Sequence, residues 1–98
     1  MYIVRDIFNL KYGHFRPVKA MMEEAMKMGM MPKSKGNRML SDFTGGAYRL
    51  IMETSFDSLS DFEKELSADM SKPEFQEWYK KFVEHVISGE REILKVVG

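Results

Sequence analysis

Between Leu10 and His14 the spacing of apolar residues changes from every second position to one per helical turn, and such switches recur along the chain in an order that few folds accept. Tyr2 to Leu10 alternates and is rich in Tyr, Ile, Val and Phe, which predicts a strand that leaves through Lys11-Tyr12-Gly13. Tyr2, Val4, Asp6, Phe8 and Leu10 share one face, and Ile3, Arg5, Ile7 and Asn9 the other. Each face is mostly apolar with a polar interruption, as expected of a strand covered on both sides.

From His14 to about Met28 the period is helical. At about 100° per residue, Phe15, Val18, Met21, Met22, Ala25, Met26 and Met28 fall on one arc, opposite Arg16, Lys19, Glu23, Glu24 and Lys27. Pro17 sits in the first turn, where a missing N–H costs nothing, and Gly29 with Pro32 marks the end. Two strand-like runs follow, Arg38 to Phe43 and Ala47 to Phe56, joined around Thr44-Gly45-Gly46, where glycine supplies the positive φ of a tight turn. Ser58 with Asp61 predicts an N-cap for a helix carrying Leu59, Phe62, Leu66 and Met70. Ser71 with Glu74, and Pro73 in the first turn, predicts a second cap for a helix with Phe75, Trp78, Tyr79, Phe82, Val83, Val86 and Ile87 on its apolar face. Ser88-Gly89 is the expected stop, and Glu90 to Val97 the last strand.

The order β-α-β-β-α-β, with the second helical unit split in two, folds through short connections into a four-stranded antiparallel sheet with helices on one face, the ferredoxin-like α+β plan. Ninety-eight residues, 44% of them hydrophobic, fill one domain, residues 1–98. The uncovered face of the sheet would then show Ile3, Ile7 and Ile51 among Arg5, Asn9, Arg49 and Glu53, too apolar to leave in water. A second copy packed sheet to sheet would cover it, so a homodimer through the exposed sheet face is expected.

Lys plus Arg equals Asp plus Glu at 15 each, which argues against a nucleic-acid or membrane-surface partner. There is no cysteine, hence no disulfide, thiolate metal site or cysteine nucleophile. The first ten residues carry Arg5 and Asp6 and read as neither a signal peptide nor a membrane span, which makes the cytoplasm the expected location.

The runs SFDSLSDFEKEL, SKPEFQEWYKKF and GEREILKVV, in this layout, resemble the dimeric α+β barrel superfamily and most of all its NIPSNAP-like branch. The resemblance spans nearly the whole chain. It implies a sheet-to-sheet homodimer with a ligand pocket between each subunit's sheet and helices. The superfamily includes cofactor-independent monooxygenases, small isomerases, haem-degrading enzymes and members with no assigned reaction. Haem-degrading relatives use an asparagine on the first strand with a tryptophan and a histidine in the second helical unit. Here Asp6 falls at the asparagine's place, and Trp78 and His85 miss the remaining spacing, so the resemblance does not extend to haem degradation.

Asp6 shares a strand face with Val4 and Phe8, and a carboxylate in an apolar layer has a raised pKa unless paired, as a general acid or base near neutral pH requires. The competing reading is an ion pair with an adjacent strand, or simple placement at the sheet end. His14 lies on the apolar arc of the first helix, and His85 stands two turns after Trp78, so His14 and His85 join Asp6 as catalytic candidates. Phe8, Met22, Met26, Tyr48 and Trp78 are the candidates for contact with an apolar ligand. No phosphate loop, nucleophile motif or zinc spacing is present, and no cofactor is expected.

Val18 to Pro32 holds six of the ten methionines. Thioethers suit Cu(I), but at core spacing they read as a soft wall: Met21, Met22, Met26 and Met28 on the buried arc, Met30 and Met31 beyond Gly29 and off it. The function expected is binding or transformation of a small apolar molecule, monooxygenase- or isomerase-like as the resemblance implies. The alternative is a non-catalytic homodimeric structural or interaction module.

Overall fold

The computed structural model describes residues 1–30, 34–44 and 48–98. Its elements are β1 (Tyr2–Leu10), α1 (Phe15–Lys27), β2 (Gly36–Ser41), β3 (Arg49–Phe56), α2 (Leu59–Met70), α3 (Pro73–Val83) and β4 (Val86–Lys95). The sheet order is β2-β3-β1-β4, every neighbouring pair antiparallel. This is the ferredoxin-like α+β arrangement expected from the order of periods, including the split second helical unit. The Gly45-Gly46 turn and Met31 lie outside the described residues. On the near side of that turn, Asp42 accepts hydrogen bonds from the Arg49 backbone N–H (3.2 Å) and Nε (2.9 Å), tying the end of β2 to the start of β3.

The core lies between the inner face of the sheet and the helices. Leu10, Leu50 and Met52 from the strands meet Val18 and Met22 from α1 and Phe82 from α3. Burial of Val18, Met22 and Ala25 at intervals of four and three is the helical stripe read from sequence. Trp78 fastens α3 to α1: its indole Nε1–H donates to the Met21 carbonyl at 3.0 Å. Ser58 caps α2 by accepting from the Asp61 N–H at 3.1 Å, and Pro73 opens α3.

Three local expectations are corrected. Ser71 does not cap α3: it closes α2, its hydroxyl donating to the Ala68 carbonyl at 2.9 Å, and the cap position of α3 belongs to Lys72. α3 ends at Val83, and Val86 to Gly89 form the start of β4. The β-branched Val86 and Ile87 fit both periods, and the choice is made by pairing: Ser88 opposes Asn9 and Gly89 opposes Phe8, while a bulge leaves Ile87 unpaired. Gly89 is therefore not a helix stop. The Phe8 ring lies over it, 3.4 Å from where a Cβ would sit. Third, Met30 is buried at 6% exposure whereas Met28 is 56% exposed and Met26 is exposed too. Gly29 at φ +70° makes the reason visible, since the Met30 N–H bonds to the Ala25 carbonyl (2.9 Å) and the Gly29 N–H to that of Met26 (3.1 Å). This Schellman turn folds Met30 back onto the helix's buried side.

Cross-strand register sets the outer face in rows. Leu40, Ile51 and Ile7 are neighbours across β2, β3 and β1, and Ser55, Ile3 and Leu94 across β3, β1 and β4. Between those rows runs Arg38, Glu53, Arg5 and Glu92, alternating in charge across all four strands. Glu53, only 5% exposed, accepts from Arg5 Nε at 2.9 Å and Arg38 Nε at 2.7 Å. Burial alone would push its carboxyl up, but the two guanidinium hydrogen bonds outweigh that and hold it below the usual range.

Candidate functional site

A cavity of about 610 Å³ opens between the inner face of the sheet and the three helices. Its floor is Asp6, Phe8, Met52 and Thr54; Met22, Ala25 and Met30 form the α1 side, Phe62, Leu66 and Asp69 the α2 side, and Phe75, Trp78 and Phe82 the α3 side. The period that buries α1 also aims Met22 and Ala25 here, and the Schellman turn adds Met30. On α3 the rings form a ladder: Phe75 to Trp78 at 6.0 Å between centroids, Trp78 stacked on Phe82 at 4.9 Å, and Phe82 edge-on to Phe8 at 4.9 Å.

Asp6 lies in the cavity floor, paired with Arg91 across the sheet at 2.5 Å from Nε to Oδ1. The Arg91 guanidinium in turn sits 5.3 Å from the centre of the Phe62 ring. Asp6 is thus the ion-paired carboxylate of the competing reading, its charge neutralised within the sheet.

Asp69 is the polar group that sequence reasoning missed. It lies in the last turn of α2, is 7% exposed, and lines the cavity. Burial pushes its carboxyl above the ordinary value, and the charge of Glu65 adds to this; Lys72, its ammonium 3.6 Å away, offsets part of it. The carbonyl end of a helix is also where a negative charge is least favoured. The sequence did hold a signal, because Phe62, Leu66 and Asp69 share one helical stripe, so Asp69 is an acid on an apolar face at the wrong end of a helix.

His14 and His85 meet, Nδ1 to Nδ1 at 2.9 Å and half-buried, although 71 positions separate them. One ring must donate and the other accept, so the pair shares a single bonding proton. His14 precedes α1 and His85 follows α3, and the Lys11 N–H donates to the His85 carbonyl at 2.9 Å, so the pair joins two turns at one end of the sheet. Neither lines the cavity, and the three catalytic candidates are not brought together. Of the ligand candidates, Phe8, Met22 and Trp78 line it; Met26 faces outward, and Tyr48 packs on Tyr12 with ring centres 4.8 Å apart. Among the described residues no three His, Asp or Glu side chains gather as metal ligands, and no helix is long and apolar enough to cross a membrane.

No family model and no curated protein matches the sequence. The folded chain has close counterparts among solved structures. An uncharacterized NIPSNAP domain protein from Burkholderia xenovorans superposes with a TM-score of 0.86 at 12% identity, over 99% of this chain and 95% of that one. A NIPSNAP family protein of unknown function from Agrobacterium tumefaciens gives 0.83 at 18% identity, over 98% and 87%. The chain has the NIPSNAP-domain fold. An antibiotic biosynthesis monooxygenase gives 0.74 at 12% identity over the full length of both chains, which extends the likeness to the wider group that shares this α+β fold. At such identities the NIPSNAP-like fold is what is held in common.

Proposed function

We propose that this protein binds a small, largely apolar molecule in the cavity between sheet and helices. The observation that carries the reading is a space of about 610 Å³ walled by aromatic and Met side chains, beside a core in which Val18 and Leu50 are fully packed. Ligand sites are commonly concave, mostly apolar and supplied with a few polar groups, here Asp69, Thr54 and the Asp6–Arg91 pair. Methionines in the wall suit irregular apolar shapes. Where the bound molecule is also transformed, in the manner of a cofactor-independent oxygenase or an isomerase, proton transfer falls to Asp69, whose surroundings disfavour its charge.

Nile red, a neutral dye that brightens in apolar sites, should bind saturably with one dye per chain, and Leu66→Trp, which fills the space from α2, should weaken it at least tenfold. Dye binding that never saturates, or that Leu66→Trp leaves unchanged, would remove the proposal.

The second reading is a non-catalytic homodimeric module, supported by the engagement of Asp6 with Arg91 and by the distance of the histidine pair from the cavity lining. Both readings include the homodimer. Ile3, Leu40, Ile51 and Leu94 on the outer sheet face favour a second copy over water, and the alternating row Arg38, Glu53, Arg5 and Glu92 is of a kind that can complement itself across a two-fold axis.

A further inference from the structure

Among the described residues, the charged side chains that line the cavity are Asp6, Asp69, Glu90 and Arg91, three acids to one base. At its floor the Asp6 carboxylate is cancelled by Arg91. At its α2 end, Asp69 stands in the last turn of the helix, at the negative pole of the helix dipole, and Glu65 lies one turn earlier. Among the described residues, Lys72 is the cation beside Asp69, at 3.6 Å and on a side chain that is 47% exposed to water. Phe75, Trp78 and Phe82 line the same cavity from α3. A buried carboxylate at the negative end of a helix, in a cavity otherwise lined by aromatic and Met side chains, prefers a positively charged group on an apolar body.

Resting on the ligand-binding reading above, we propose that the cavity selects apolar molecules that end in a protonated amine, with the ammonium at Asp69 and the body against Trp78 and Phe82. An ammonium there gives Asp69 a charge-assisted hydrogen bond and replaces Lys72 as its counterion. An alcohol on the same body offers a neutral hydrogen bond only, and a carboxylate meets Asp69 and the helix end with like charge.

Adamantylamine, adamantanol and adamantane carboxylate present one apolar body with these three ends, and each is titrated against bound Nile red at neutral pH. Trp78, the single tryptophan, supplies an independent signal from the cavity wall. The amine should bind at least tenfold tighter than the alcohol, and the carboxylate weakest. Asp69→Asn, near-isosteric, should erase the amine's advantage, read as the ratio of amine to alcohol affinity within that one variant. Equal affinities for amine and alcohol, an amine preference that survives in Asp69→Asn, or no displacement of bound dye by any of the three would overturn the proposal and leave the cavity reading standing. Failure of Nile red itself to bind would remove both.

Discussion

Two buried carboxyl groups respond to folding with opposite sign. Asp69 is raised on folding, so the native chain binds its proton more tightly than the unfolded chain does. Its contribution is full below the ordinary Asp value of 3.8 and is lost as pH rises through the raised one. Asp69→Asn fixes the neutral form, and its melting temperature should exceed that of the parent at pH 7, with the gain shrinking toward about pH 3. Glu53 is lowered on folding, so its contribution is present above the ordinary Glu value of 4.5 and is lost as pH falls through the lowered one. Glu53→Gln should cost roughly 1–3 kcal/mol at neutral pH, the value of hydrogen bonds to a charged group, and much less in acid. Thermal unfolding of both variants at the two pH values checks the signs; the same direction in both would contradict this account.

At the scale of elements, the boundaries matter more to the site than the interiors. The turn after α1 brings Met30 into the cavity through a residue at φ +70°, where a Cβ meets no neighbouring atom but the left-handed backbone penalises any L side chain. Gly29→Ala should lower stability by about 1 kcal/mol. It should also weaken Nile red binding more than a surface Gly→Ala of equal stability cost, measured by denaturant titration beside dye titration. The end of α3 is set differently. No glycine stops that helix; the His14–His85 hydrogen bond and the Lys11 N–H to His85 carbonyl bond hold the chain where β4 begins.

For the whole molecule, the proposed homodimer rests on the outer sheet face. A chain of 11.5 kDa buries little surface alone, and a second copy would add to the apolar area removed from water. Light scattering at micromolar concentration should give about twice the chain mass. Ile51→Lys, placing a charge in the apolar row with Ile7 and Leu40, should return the mass to 11.5 kDa without loss of helical and sheet content in circular dichroism. A wild-type mass of one chain would refute the dimer.

The order of elements, the sheet faces, the cap at Ser58 and the Val18, Met22 and Ala25 stripe of α1 were determined by sequence alone, because hydrophobic period and turn chemistry are local properties. Tertiary structure decided whatever depended on a distant partner. Val86 to Gly89 could extend a helix or begin a strand until pairing with β1 chose the strand. Asp6 carried a charge whose fate waited on Arg91, and His14 and His85 were two separate histidines until the fold joined them. Asp69 showed on its helical stripe as a misplaced acid, but only the packing of α2 against the sheet made it the buried carboxyl of a cavity. Local sequence dictates which way a side chain faces; what it faces is a property of the assembled chain.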